Sequence, residues 1–258
     1  KLRCCGLKIN INGIDIDYSV NGEGNPVLLL HGWGSNKEVY KNITELLCDR
    51  YKVYALDFPG CGESGLPESP LQLEDYENLV LEFCSKLDIN NPVIMGHSHG
   101  GRVALSLLGT RKLKAAKAVL FDSAGVVIKK SFKVRAKIKT FKALKKCLSL
   151  SVFDDRRDEL VGKAQRFFGS ADYSAAPEVM RKTMVNVVNR DLTPVLSNID
   201  CPVLLIWGEN DGDTPLACAK IMEKNIKDCG LCVLSGCTHY SFLQKPYDTA
   251  AILNSFLG

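Results

Sequence analysis

The sequence predicts an α/β protein, a mostly parallel sheet of eight strands with helices on both faces. Three observations predict it. Short unbroken apolar runs, such as Val27-Leu28-Leu29-Leu30, alternate with stretches of helical periodicity, the mark of strands covered on both sides by crossover helices. Ahead of them, Leu7 to Val20 alternates apolar and polar residues around Asn12-Gly13, an antiparallel hairpin closed by a type I′ turn. Finally, Met95-Gly96-His97-Ser98-His99-Gly100-Gly101 joins the apolar run Pro92-Val93-Ile94 to a helical stretch, Arg102 to Leu108. That is a strand, a tight turn bearing Gly-x-Ser-x-Gly, and a helix.

In order, Leu7 to Ile11 and Ile14 to Val20 form the hairpin, and Val27 to Leu30 is the first buried strand. It runs into His31-Gly32-Trp33-Gly34-Ser35-Asn36. A helix is predicted over 37–50, with Val39, Ile43, Leu46 and Leu47 on one side. Lys52 to Leu56 is the next strand, followed by the glycine-rich Asp57-Phe58-Pro59-Gly60-Cys61-Gly62-Glu63-Ser64-Gly65. Leu73 to Leu87 reads as helix, and Lys117 to Phe121 as a strand ending in Asp122-Ser123-Ala124-Gly125. The alternation then stops until about Asp191, and that stretch reads as all-helical with a break at Phe168-Gly169-Ser170-Ala171-Asp172. Pro202 to Trp207 (strand), Leu216 to Asn225 (helix), Leu231 to Leu234 (strand) and Pro246 to Leu257 (helix) complete the chain. The expected organisation is a core domain of residues 1–125 and 192–258, with 126–191 inserted as a helical cap over the strand ends. Loops at the carboxyl ends of such strands are where a site gathers.

Composition narrows the class. The chain has 258 residues, 46% of them hydrophobic and 24% charged, enough for one full core and unlike a disordered or fibrous chain. No apolar run approaches the ~20 residues that span a bilayer. No basic-then-apolar leader stands at Lys1, although without an initiator methionine a trimmed leader stays open. The eleven cysteines are odd in number and scattered. Several sit inside apolar segments, so reduced thiols in a cytoplasm are expected. Cys229-Gly230-Leu231-Cys232 has metal or redox spacing, but no second pair accompanies it, and no metal or cofactor is expected. Between Lys129 and Lys146 lie nine Lys or Arg and no Asp or Glu; against an overall charge of +4, the rest of the chain carries −5. With Val134, Ile138, Phe141, Leu144 and Leu148 at helical spacing, this reads as an amphipathic cap helix, its apolar stripe over the site and its lysines in water. Contact with a membrane surface or an anionic substrate is the sharper alternative. No nucleic-acid motif accompanies the charge.

The chemistry centres on Ser98. A serine hydroxyl becomes a nucleophile when a sharp turn presents it and a base takes its proton. The helix that follows adds free N–H groups and a positive dipole end, suited to an oxyanion. The four histidines, 31, 97, 99 and 239, all fall near expected strand ends. His239, in the loop after the last strand, can reach over the sheet toward Ser98. His97 and His99 flank the serine, and the backbone turns them away from its hydroxyl, toward packing or supporting hydrogen bonds; His31 is expected to hydrogen-bond within its own loop. The orienting acid is sought in Trp207-Gly208-Glu209-Asn210-Asp211-Gly212-Asp213-Thr214-Pro215, where Asp211 and Asp213 compete. Asp122 also ends a strand and could serve as acid in a variant arrangement; its plainer reading is a polar residue that closes the strand and faces the cap.

Taken together, His31-Gly32-Trp33-Gly34, Asp57 through Ser64, Gly96 through Gly101, Trp207 through Pro215 and Gly236 through His239 resemble the α/β-hydrolase superfamily in order and spacing, across residues 31–239. The resemblance implies an α/β-hydrolase fold, with Ser98 as nucleophile, His239 as general base and Asp211, four residues before Pro215, as the orienting carboxylate. It also implies the backbone N–H groups of Trp33 and His99 as the oxyanion hole, and no cofactor. His99 departs from the bulky apolar residue common at that position. The implied activity is a serine hydrolase acting on a small-molecule carboxylic ester or related acyl compound. Carbon–carbon bond hydrolases share the same three residues, and a slow-turnover receptor of this fold is the reading from another class. A serine at the turn argues against the branches that use an aspartate nucleophile.

Overall fold

The computed structural model describes residues 6–128 and 176–258. The basic run from Lys129 to Lys146, its apolar stripe, the break at 168–172 and Cys4, Cys5 and Cys147 lie outside the described residues. One eight-stranded sheet organises the rest, in the order β1-β2-β4-β3-β5-β6-β7-β8. The strands are β1 (Leu7–Ile11), β2 (Ile14–Asn21), β3 (Asn25–Leu30), β4 (Tyr51–Leu56), β5 (Val93–His97), β6 (Lys117–Phe121), β7 (Val203–Gly208) and β8 (Cys229–Leu234). Only β2 runs against the others: it pairs antiparallel with β1 and β4, and every pairing from β4 to β8 is parallel. The hairpin turn has φ of +51° at Asn12 and +84° at Gly13, the two positive angles that a type I′ turn requires.

Strand alternation divides the core in two. Leu28 and Leu30 of β3 pack with Ile94 of β5 and with Val80, Phe83, Val103 and Leu107 on one face. Val27 and Leu29 face the other side with Val93, Met95, Leu47 and Leu253. The first layer is built on α2 (Leu73–Lys86), α3 (His99–Gly109) and α5 (Leu216–Asn225), the second on α1 (Lys41–Leu47), the short α6 (Ser241–Gln244) and α7 (Pro246–Leu257). Helix α2 starts where Asp75 reaches back to accept the Gln72 N–H at 2.7 Å, a first-turn carboxylate satisfying a free donor. The chain turns back over the sheet between β3 and β5, so the loops after these strands diverge into a crevice at their carboxyl ends.

The helix expected over 37–50 begins as a 3₁₀ turn, Lys37–Tyr40, before α1. Lys37 is held at both ends: its N–H donates to Asp57 Oδ1 at 2.6 Å, and its ammonium pairs with Asp17 and Asp57. Tyr40 is tied by its hydroxyl to the Leu30 carbonyl at 2.9 Å. These tethers tighten the first turn. Strand β8 starts at Cys229, two residues earlier than the apolar pattern predicts, because the backbone pairs Val203 with Cys229 and Leu204 with Gly230. Cys229 and Cys232 thus stand three apart on a strand, which sends them to opposite faces: Cys229 packs with the first core layer and Cys232 with the second. That spacing cannot chelate one ion. All eight described cysteines are free thiols.

Beyond β6 the chain departs at 125–127 and the described part resumes before α4 (Glu178–Val188), as expected for a helical stretch there. Leu192 N donates to the Gly125 carbonyl at 2.8 Å and Val127 N to Asp191 Oδ1 at 3.4 Å, so the chain leaves and rejoins the core at adjacent points. Among the described residues no helix is long and apolar enough to cross a membrane.

Candidate active site

Ser98 occupies the turn between β5 and α3 with φ +48° and ψ −108°, a backbone state that costs an L-residue energy and is kept by its surroundings. Two glycines make the turn feasible. A Cβ on Gly96 would stand 2.6 Å from the Gly100 carbonyl, and one on Gly100 would overlap the Leu30 carbonyl of the neighbouring strand. Gly100→Ala is therefore expected to destabilise the fold by at least ~3 kcal/mol, seen as a large drop in the urea midpoint; an unchanged midpoint would mean α3 does not sit this close to β3.

His239 arrives from the loop after β8. Its Nε2 lies 3.0 Å from Ser98 Oγ and its Nδ1 2.9 Å from Asp211 Oδ2. A carboxylate only accepts, so Nδ1 carries the proton and the Nε2 lone pair faces the serine hydroxyl. Asp211, in the loop after β7, also takes the N–H groups of Asp213 at 2.8 Å and Thr214 at 3.0 Å on Oδ1. The Thr214 hydroxyl stands 2.7 Å from Oδ2. Burial pushes the Asp211 carboxyl up, but these donors outweigh it and hold it below the ordinary value. Burial likewise depresses His239, yet the hydrogen bond and charge of Asp211, with Asp213 and Asp122 behind, leave it above the ordinary imidazole value. Between the two aspartates considered from the sequence, Asp211 meets the histidine and Asp213 is exposed.

Two of the other histidines, His31 and His97, have a tautomer dictated by a backbone carbonyl. His31 Nδ1 donates to Gly32 O at 2.7 Å while Nε2 accepts Phe58 N–H at 2.9 Å, joining the loops after β3 and β4. His97 Nε2 donates to the His239 carbonyl at 2.8 Å, fixing the backbone of that loop from below. His99 packs edge-on against Trp33 and Tyr76, with ring centroids 5.7 and 4.6 Å away. Burial drives both His97 and His99 down to about 3, so both rings are neutral at physiological pH.

Asp122 corrects the expectation that it faces a cap. It is fully buried at φ +44°. One oxygen accepts Gly208 N–H at 2.7 Å, and the other accepts the Ser241 N–H at 3.1 Å and hydroxyl at 2.6 Å. It therefore ties together the loops that carry Asp211 and His239. Burial raises its carboxyl to about 6 against those hydrogen bonds. The sequence reads Asp122 in another role and leaves Thr214 unassigned. A hydroxyl three residues after a loop aspartate was the available signal for Thr214.

Trp33, in the loop after β3, lines the same cavity as Ser98 and His99. The loop comes close: a Cβ on Gly32 would lie 3.3 Å from Ser98 Cβ. His99 is the first residue of α3, so its N–H has no acceptor within the helix. The cavity holds about 310 Å³, and its described lining adds Met184, Val187 and Val188 from α4 to the polar groups around the serine. Asp211, Asp213 and His239 bring ligand-type atoms within 4.8 Å of one another, but the Asp211 and His239 atoms already bond each other and Ser98, which leaves no open chelate.

Comparison with known proteins agrees with this architecture. The chain is 26% identical over 240 residues to the pimeloyl-(acyl-carrier protein) methyl ester esterase of Nitrosospira multiformis, covering 87% of this chain and 91% of that one. It is 24% identical over 278 residues to the 2-hydroxy-6-oxo-6-(2'-aminophenyl)hexa-2,4-dienoic acid hydrolase of Metapseudomonas resinovorans, covering 97% and 90%. Among solved structures, an esterase from Exiguobacterium antarcticum superposes with a TM-score of 0.77 at 22% identity, over 98% of this chain and 99% of that one. The model of the alpha/beta hydrolase family matches residues 27–252, and the chain belongs to that family.

Proposed function

We propose that this protein is a serine hydrolase that cleaves a small carboxylic ester through an acyl-enzyme on Ser98. The observation that carries the reading is the continuous chain Ser98 Oγ, His239, Asp211, with contacts of 3.0 and 2.9 Å. Ser98 Oγ attacks the acyl carbon as its proton passes to His239 Nε2. The carbonyl oxygen, now negative, takes the N–H groups of Trp33 and His99, donors in place before the charge forms. The bond to the alkoxy group breaks, and that group leaves with the proton from Nε2. Water then repeats the sequence, its proton going to Nε2 and its oxygen to the acyl carbon, and Ser98 is released. Asp211 holds the imidazole in the tautomer this needs and stabilises its cation. A cavity of about 310 Å³ walled by Trp33, Met184, Val187 and Val188 stands at the small end of ligand sites, ~300–1,000 Å³, which suits an acyl group of modest length. Residues 126–191 are proposed to cap this cavity.

Hydrolysis of p-nitrophenyl esters of increasing acyl length tests the reading, together with mass analysis of protein quenched early in turnover. The expected result is a burst of one p-nitrophenol per chain and the acyl mass on the Ser98 peptide. An acyl mass elsewhere would overturn it. Inertness toward every ester while a phosphonofluoridate still labels Ser98 would favour a carbon–carbon bond hydrolase, the activity named for the Metapseudomonas resinovorans relative, or a slow-turnover receptor.

A further inference from the structure

Arg102 is a charged residue that the chemistry above does not use. It lies on α3 one turn beyond Ser98, with its N–H bonded to the Ser98 carbonyl at 3.0 Å, and it is only 6% exposed. Its guanidinium reaches across the cavity floor to α4. Nη1 donates to the Val187 carbonyl at 2.7 Å and to the Arg190 carbonyl at 3.0 Å. Val187 stands in the last turn of α4 and Arg190 two residues beyond its end; the helix closes at Val188 with Asn189 as its cap and no basic residue of its own in the last turn. The Val187 carbonyl takes a long Arg190 N–H contact, 3.3 Å, from the backbone that closes the helix, and carbonyls at this end carry the negative pole of the helix dipole. A buried guanidinium bonded to two of them makes charge-assisted contacts that water cannot replace.

What α4 contributes gives this contact its consequence. Met184, Val187 and Val188 form the apolar wall facing Ser98. The other tethers of α4 lead elsewhere: the Thr183 hydroxyl accepts Leu71 N–H at 2.9 Å, the Asn186 amide donates to Leu71 O at 3.1 Å, and Arg190 pairs with Glu74 at the surface. They fix α4 to the start of α2. Arg102 alone among these anchors stands on the helix that carries the nucleophile.

We infer that Arg102 is a positioning residue for substrate size: it latches the end of α4 to the nucleophile helix and so sets the distance between the acyl wall and Ser98. The inference rests on the serine-hydrolase reading for its choice of substrates, and on the α4 contacts alone for the latch.

The test compares wild type with Arg102→Met, which keeps the apolar stem and loses the donors, and Arg102→Lys, which keeps the charge and a single donor head. Two readouts are taken: the ratio of Ser98 labelling rates by butyl and octyl phosphonofluoridates, and hydrogen exchange of the 183–188 amides. Arg102→Met should shift the labelling ratio by about tenfold and speed exchange by about tenfold, with Arg102→Lys recovering most of both. A ratio within twofold of wild type would overturn the inference. So would a shifted ratio with unchanged exchange, since the guanidinium would then act on the ligand directly. If Arg102→Met does not fold, Arg102→Gln, too short to reach the Val187 and Arg190 carbonyls, carries the test, with a ratio shift above twofold and faster exchange expected and a ratio within twofold overturning the inference. If wild-type Ser98 takes no label at all, the nucleophile reading fails separately, and exchange still decides whether the latch exists.

Discussion

Ser98→Ala is expected to lower kcat for ester hydrolysis by about 10⁵- to 10⁶-fold while leaving the fold intact. The two expectations come from the same geometry. Alanine meets the same backbone demand as serine at φ +48°, and its Cβ occupies space the serine already fills. What disappears is one oxygen, which is hydrogen-bonded to His239 Nε2 at 3.0 Å. Deleting it leaves no side chain to form the acyl-enzyme, so the residual rate reflects bound substrate, the N–H donors of Trp33 and His99, and water. The measurement is p-nitrophenol release with each ester alongside a urea unfolding curve. A midpoint that moved by the equivalent of less than ~0.5 kcal/mol would show that the loss is chemical. A variant as active as wild type would place the nucleophile elsewhere and remove the basis for every role assigned around it.

The fold was legible because its signals are local. Unbroken apolar runs named the parallel strands, Asn12-Gly13 named the hairpin, and Gly96 and Gly100 marked a turn that no larger residue could occupy. Loop positions after recognisable strands pointed to Ser98, to His239 and to the 207–215 loop for the acid, while Asp211 rather than Asp213 came from the family resemblance; the structure brings these three side chains together. Asp122 was read wrongly because its partners are distant in sequence: Gly208 and Ser241 lie 86 and 119 residues away. Nothing near Asp122 reports that its carboxylate points inward. Arg102 was hidden for a similar reason. In sequence it is one cation in an apolar helix; its meaning depends on carbonyls 85 and 88 residues on. The early 3₁₀ turn at Lys37 likewise follows from Asp17 and Asp57, each 20 residues away. Periodicity records which face of an element is buried, but not which polar groups meet beneath it.

Asp211→Asn should lower kcat by about 10⁴-fold and leave KM nearly unchanged. The substitution is close to isosteric, so the loss must come from proton placement. Two backbone donors, Asp213 N and Thr214 N, point at Oδ1, and an asparagine satisfies them only by turning its carbonyl oxygen that way. Its NH₂ then faces His239 Nδ1, which must become an acceptor, and the imidazole proton moves to Nε2. There it points at Ser98, and the base has lost the lone pair it needs. The pH profile gives an independent sign. In wild type the raised pKa of His239 places the acid limb of kcat/KM above the ordinary imidazole value near 6.5; activity is present above that limb and is lost as pH falls through it, because the base becomes protonated. Removing the Asp211 charge leaves burial as the largest influence on His239, so the limb of the variant should move to lower pH. A 10⁴-fold loss with the limb unmoved would point to altered geometry, and a limb that moved upward would contradict the assignment of Asp211 as the charge that supports the imidazolium.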